Sequence, residues 1–324
     1  MKKIFVRRLM ILCYAALLVL SGTTSQTAHA AVNNMMLTRG NGGNGNADSS
    51  GDDSKDDNSD NMGDDSGKDG NKDDDSDNNK EKGIKIQIGK KEKIVEALKG
   101  SFVKKKGVKY FKKQDGKLVK SRFFCKGKSI YHVNRKGAVS LGWKKIKGHY
   151  YFFHRKSGKM IYNTKADRIK ITKAGIAKET TQNIERIKVY LEAQNVVQKI
   201  SKPSDSKSEK LYKCYCWMAK FPYKQYRTMK KAKAGNPNNW DIVFANDIFK
   251  NHQGCCASEA CAFGYLAVVC GYKDVTICSD TGHAWVDIGG KLYDPLFAES
   301  RSFKANYNAN YTDYRIHPAY VKKL

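Results

Sequence analysis

Gly254-Cys255-Cys256-Ala257-Ser258-Glu259-Ala260-Cys261-Ala262-Phe263-Gly264-Tyr265-Leu266-Ala267-Val268-Val269-Cys270-Gly271 is apolar nearly all round once its two leading cysteines are passed. A helix with that pattern belongs in the middle of a domain, not on its surface. Gly254 permits a sharp turn into the helix, and Gly271 is a natural C′ residue after it. A cysteine in the first turn feels the positive end of the helix dipole and its free N–H groups. Both favour the thiolate, so the position suits a nucleophile.

Working outward, the next chemistry-bearing run is Gly282-His283-Ala284-Trp285-Val286-Asp287-Ile288, then Gly289-Gly290, then Lys291-Leu292-Tyr293-Asp294-Pro295. Two short strand-like runs around a Gly-Gly pair predict a hairpin with a two-residue turn. Register then follows by counting: Ile288 faces Lys291, Val286 faces Tyr293 and Trp285 faces Asp294. His283 lies two residues from Trp285 on the same face, which makes it a diagonal neighbour of Asp294. A carboxylate there can fix the tautomer and orientation of the imidazole, as a nucleophile–base–acid triad requires.

Gly254-x-Cys256-x-x-x-Ala260, His283-Ala284-Trp285 and Tyr293-Asp294-Pro295, in that order, resemble the transglutaminase-like superfamily of cysteine enzymes. Upstream, Glu209-Lys210-Leu211-Tyr212 to Trp217 and Phe221-Pro222-Tyr223 look like the helix and tyrosine segment that precede the nucleophile in its bacterial members. The resemblance covers about residues 175 to 298. It implies Cys256 as nucleophile, His283 as base and Asp294 as orienting acid. It also implies an α+β, papain-like core in which the helix bearing the Cys packs on an antiparallel sheet. Two departures stand out: Cys255 sits beside Cys256, and the segment from His to Asp is short.

Other readings of these residues are plainer. A buried Cys is commonly a small hydrophobe, and Cys261 and Cys270 read as core. Cys255 reads as a spectator or a disulfide partner, Glu259 as a structural acceptor and His252 as a surface loop residue. A zinc site from Cys255, Cys256, Cys261 and His283 lacks the usual ligand spacings, so neither metal nor cofactor is expected. Of nine cysteines, eight lie beyond the first thirty residues. Setting aside one nucleophile leaves an odd number, so they cannot all pair internally. Before this region, the periodicity predicts a helix from Ala177 to Ile200. Pro203 stops it, Ser204-Asp205 can cap the next, and a second helix runs from about Ser208 to Lys220.

Residues 101–167 repeat. Gly107-Val108-Lys109-Tyr110-Phe111, Gly127-Lys128-Ser129-Ile130-Tyr131 and Gly148-His149-Tyr150-Tyr151-Phe152 recur at spacings of 20 and 21. Asp115-Gly116, Lys136-Gly137 and Ser157-Gly158 recur at 21 and 21. Each unit reads as a hairpin that cannot bury a core alone, so stacking is expected. Gly142-Trp143 through Phe152 resembles the cell-wall-binding repeats of secreted bacterial proteins, in which aromatic residues cage choline or contact glucan. That resemblance makes Phe102, Tyr110, Tyr131, Trp143 and Tyr151 candidate ligand-binding residues. Arg122 stands where such a cage has an aromatic. The plainer reading is that these aromatics pack the hairpins together.

At the start, Lys2, Lys3, Arg7 and Arg8 precede the apolar run Leu9–Leu20, and Ala28-His29-Ala30 follows. This is the pattern of a secretory signal peptide. Residues 41–80 hold 13 Asp against 4 Lys and almost nothing apolar. Such a stretch cannot offset its chain entropy by burial and reads as a disordered linker.

The whole chain has a net charge of +28. With the signal and the acidic stretch set apart, the rest carries about +33. In an exported protein that excess points to an anionic cell-wall polymer or glycan, not to nucleic acid. The expected organisation is signal 1–30, linker 31–86, hairpin repeats 87–170 and catalytic domain 171–324. The expected function is a secreted cysteine-dependent acyl-transfer enzyme acting on peptide or carboxamide bonds of a protein or peptide substrate. It would be associated with the cell wall, with no membrane contact once the signal is cleaved. The alternative is a wall-binding surface protein with a degenerate transglutaminase-like domain.

Overall fold

The computed structural model describes residues 84–88, 91–280, 282–313 and 318–324. The expected signal, and the expected linker up to residue 83, lie outside the described residues. From Ile84 onward, the described residues form one compact unit of mixed helix and strand.

Its first half is a row of hairpins. Strands β1 (Ile84–Ile88) and β2 (Lys91–Val95) pair antiparallel. So do β3 (Gly100–Lys105) with β4 (Val108–Lys113), β5 (Arg122–Lys126) with β6 (Ser129–Val133), and β7 (Gly142–Ile146) with β8 (His149–Phe153). The two-residue turns Lys106-Gly107 and Lys147-Gly148 have positive φ at both positions. That geometry matches the strand twist and favours glycine at the second place.

The 21-residue period has a hydrogen-bonding cause. Two residues after Gly137 and Gly158, N–H groups 21 positions apart bond back to the second strand of an earlier hairpin, Val139 to Lys109 O and Met160 to Ile130 O, and Ala177 does the same to Tyr150 O after Gly175. Strand alternation then sends neighbouring side chains to different clusters. Phe124 packs with Phe111, Tyr131 and Val133. Phe123 packs with Cys125, Tyr151 and Phe153 on the opposite face. The β5–β6 hairpin is thus covered on both faces by its neighbours.

After β9 (Lys165–Ala166) and β10 (Ile169–Lys170) the chain turns helical: α1 (Thr181–Ile200), α2 (Lys207–Met218), α3 (Met229–Gly235), α4 (Trp240–Asn251) and α5 (Cys256–Cys270). Helix α1 starts four residues later than the periodicity predicts. Ala177 is taken by its bond to the β8 strand, and the Thr180 side chain caps the N–H of Asn183. Helix α2 is capped by Ser206, not by Ser204-Asp205. Ser206 and Glu209 form a reciprocal capping box, which satisfies two otherwise unpaired donors.

Helix α5 lies at the centre, against α1, α2, α4 and the sheet, as its all-round apolar sequence requires. The sheet is antiparallel in the order β13 (Lys291–Tyr293), β12 (Ala284–Ile288), β11 (Val275–Ser279), β14 (Tyr320–Lys323). Helix α6 (Pro295–Ser300) follows β13 directly.

The last hairpin is shared between both halves. Gln194 of α1 accepts from the Trp143 N–H at 2.8 Å and donates to the Trp143 carbonyl at 3.0 Å. Trp143, Tyr150 and Phe152 belong to the same buried cluster as α1, α2, α4 and α5.

Candidate active site

The strand pair behaves as counting predicts: Ile288 faces Lys291 and Val286 faces Tyr293 across Gly289-Gly290, both at positive φ. His283 lies just before β12. Both its own N–H and that of Gly282 reach the Asp280 carboxylate at 2.6 Å, which ties the approach to the strand. Asp294 lies just after β13 and caps α6, accepting from the Phe297 N–H at 3.0 Å. Its other oxygen is 2.6 Å from His283 Nε2. Asp294 is fully buried and His283 is nearly so. The His283 ring lies flat on Phe297, with centroids 4.1 Å apart and planes 10° apart. Nε2–H is therefore committed to the carboxylate, and Nδ1 is the nitrogen left to exchange a proton.

Cys256 is the first residue of α5, and Cys255 is its N-cap residue in extended backbone. Cys255 is buried and Cys256 half-buried, so Cys256 is the more accessible of the two. A hydrogen bond from the Cys256 thiol, helped by the N–H groups of Ser258 and Ala257, holds the Cys255 thiol down to about 6. The same bond, burial and the negative neighbours Cys255, Asp294 and Glu259 push Cys256 upward. The pair therefore loses one proton readily and holds the second between its sulfurs. The charge that remains can sit on either sulfur through their hydrogen bond.

Gly254 is needed for space. A Cβ there would stand 2.5 Å from the Ser258 Cβ and 2.8 Å from the Ile248 Cδ1. The carbonyl of Gly254 accepts from the Lys224 N–H at 2.8 Å in a short parallel bridge that aligns Tyr223 with Gly254. Burial, with Cys256 and Cys255 nearby, raises the Tyr223 hydroxyl to about 12, so it stays a proton donor at neutral pH.

Glu259, expected to be a structural acceptor, accepts nothing. Both of its oxygens are buried without a hydrogen-bond partner among the described residues. Burial, with Glu299, Asp294 and Cys255 nearby, pushes its carboxyl well above the ordinary range. His252 is exposed, as expected, in the left-handed residue that ends α4. Cys261 is fully buried core. No cluster of metal-ligating side chains exists among the described residues.

The repeat aromatics line up differently. Trp143 and Tyr151 are fully buried and Tyr131 nearly so, while Phe102 and Tyr110 are half-buried. The Trp143 indole N–H donates to Asp167 at 2.8 Å. The Lys109 ammonium sits 3.9 Å above the Phe102 ring and donates to the Ser157 carbonyl at 2.7 Å. The protein's own cation therefore covers the aromatic face that a cationic ligand would need.

No protein-family model matches the chain, and no curated protein matches it. Among solved structures, it is similar to choline binding protein F from Streptococcus pneumoniae, at 22% identity over 25% of this chain and 27% of that one, TM-score 0.23. It is also similar to a choline binding domain from Streptococcus pneumoniae, at 23% identity over 25% of this chain and 95% of that one, TM-score 0.23. A truncated alternansucrase from Leuconostoc mesenteroides matches at 17% identity over 25% of this chain and 7% of that one, TM-score 0.21. The chain thus spans about a quarter of the length of choline binding protein F. Among the described residues, no helix is long and apolar enough to cross a membrane.

Proposed function

We propose that the protein is an exported cysteine acyl-transfer enzyme of the transglutaminase-like, papain-like kind, held at the cell wall by its hairpin repeats. The observation that carries this reading is the buried 2.6 Å bond between His283 and Asp294, at the ends of β12 and β13, with the Asp294 carboxylate near enough to act on the Cys256 thiol. In the reaction, Cys256 passes its proton toward His283 Nδ1 and its sulfur attacks the carbonyl carbon of a peptide or carboxamide. The N–H groups at the start of α5 stabilise the oxyanion. The imidazolium, steadied by Asp294, gives its proton to the departing amine. A thioester remains, and an amine or a water then takes the acyl group.

The test is paired replacement. Cys256→Ala should abolish both release of ammonia or peptide and amine incorporation, whereas Cys255→Ala should retain a measurable part. Loss in Cys255→Ala with full activity in Cys256→Ala would transfer the nucleophile to Cys255. Full activity in both would overturn the reading.

Charge supports the attachment. Residues 87–170 hold 26 Lys and Arg against 4 Asp and Glu. With Trp143, Tyr151 and Tyr131 turned inward, these hairpins should adsorb to anionic wall polymer by charge. Adsorption to purified walls should therefore fall away between about 0.1 and 1 M salt, as the Debye length shrinks from about 10 to 3 Å. Binding that persists at 1 M would point to aromatic recognition instead.

A further inference from the structure

Far from the proposed triad, at the opposite end of α5, two thiols face each other. The Cys214 sulfur of α2 lies 3.8 Å from the Cys270 sulfur at the last residue of α5. Cys214 is fully buried and Cys270 half-exposed. A disulfide needs about 2.05 Å, so a small rotation of one or both side chains closes the gap. The neighbouring thiol of α2, Cys216, is engaged instead with the Tyr212 hydroxyl.

We propose that Cys214 and Cys270 form a structural disulfide once the protein is outside the cell. This requires export but not the catalytic reading.

The chemistry proceeds by thiol–disulfide exchange with a disulfide-bearing oxidant. The accessible Cys270 thiolate attacks the oxidant's disulfide and forms a mixed disulfide, releasing one oxidant thiolate. The Cys214 thiolate then attacks the Cys270 sulfur and expels the second. Two thiols have become one S–S bond, the oxidant has become a dithiol, and the two protons pass to its thiolates. The order follows from the geometry: Cys270 is half-exposed and Cys214 fully buried, so the oxidant meets Cys270 first, and the hydrogen bond to Cys270, with burial, holds the Cys214 thiol up.

The bond would tie the C-terminal end of α5 to α2. The closed loop spans 56 positions and contains Tyr223, α3, α4, Cys255 and Cys256. A loop of that length constrains the unfolded chain far more than the folded one.

The test uses the full chain without its expected signal, equilibrated with oxidised and reduced glutathione, quenched with an alkylating agent and mapped by mass spectrometry without reduction. The expected result is a cross-linked peptide pair containing Cys214 and Cys270, lighter by two hydrogens than the reduced pair. Cys216→Ala should leave the cross-link intact. On reduction the melting temperature should drop by about 5–10 °C in the parent, with no matching drop in Cys270→Ser. Recovery of both cysteines as alkylated thiols under oxidising conditions overturns the proposal. So does a cross-link that joins Cys270 to any cysteine other than Cys214. Mapping the unaltered chain keeps the test decisive even if a variant fails to fold.

Discussion

The two carboxylate oxygens of Asp294 go to different partners, one to the helix start at Phe297 and one to the His283 ring. The two roles can be separated. Asn caps a helix about as well as Asp, but it carries no negative charge to steady an imidazolium. Asp294→Asn should keep the melting temperature close to that of the parent and lower acyl-transfer rate by about 10²–10⁴-fold. Asp294→Ala should lose that activity and also about 1 kcal/mol of stability. Equal melting temperatures for the two variants would show that the cap contributes nothing. The thiol pair makes a second prediction. Alkylation by iodoacetamide needs a thiolate. Its rate should be slow below pH 6, rise with a midpoint near the value of about 6 that the pair's first ionisation takes, and level off above it. A midpoint near 8.5 would mean that the helix start does not stabilise the sulfur.

At the scale of elements, α5 carries an unresolved cost. It is buried along nearly its whole length, and it brings Glu259 into the core with no partner for either oxygen among the described residues. The unfolded chain ionises this carboxyl in the ordinary range, whereas the folded chain resists ionisation. The group's contribution is therefore fully present at low pH and is lost as pH rises from the unfolded value toward the raised folded one. Glu259→Met removes the acid at similar volume. The variant should melt higher than the parent at pH 8, with the advantage shrinking toward pH 4. Calorimetry at several pH values decides it: a pH-independent difference would show that the carboxyl is compensated in solution. The cost sits one turn from the reactive cysteines, where strained or unpaired groups are expected if they serve chemistry.

For the molecule as a whole, the repeats and the helical part share one core. Gln194 reaches from α1 to both backbone polar groups of Trp143, in a buried place with no room for error: a Cβ on Gly142 would stand 2.0 Å from the Gln194 Oε1. Gln194→Ala would leave a buried N–H and a buried C=O unpaired, at a cost of about 1–3 kcal/mol each. Thermal unfolding of residues 84–324 should remain a single transition and move down as one. Two transitions, with only one displaced, would show that the hairpins and the helical part unfold independently.

Much of this was legible residue by residue. The hairpin register that brings His283 toward Asp294 follows from two alternating runs and Gly289-Gly290, because an antiparallel turn of known length leaves only one pairing. The central position of α5 follows from its apolar sequence, because such a helix has no face to give to water. The 21-residue repeat was legible too, since its glycines answer a local backbone demand. Only the tertiary structure decided which distant partners meet. It gave Ala177 to the β8 strand instead of to α1, brought Lys109 to the Ser157 carbonyl and Cys214 to Cys270, and left Glu259 without a partner among the described residues. Local periodicity reports which face of an element is buried. It carries no information about what lies against that face, since contacts between residues 27 to 56 positions apart depend on how whole elements pack.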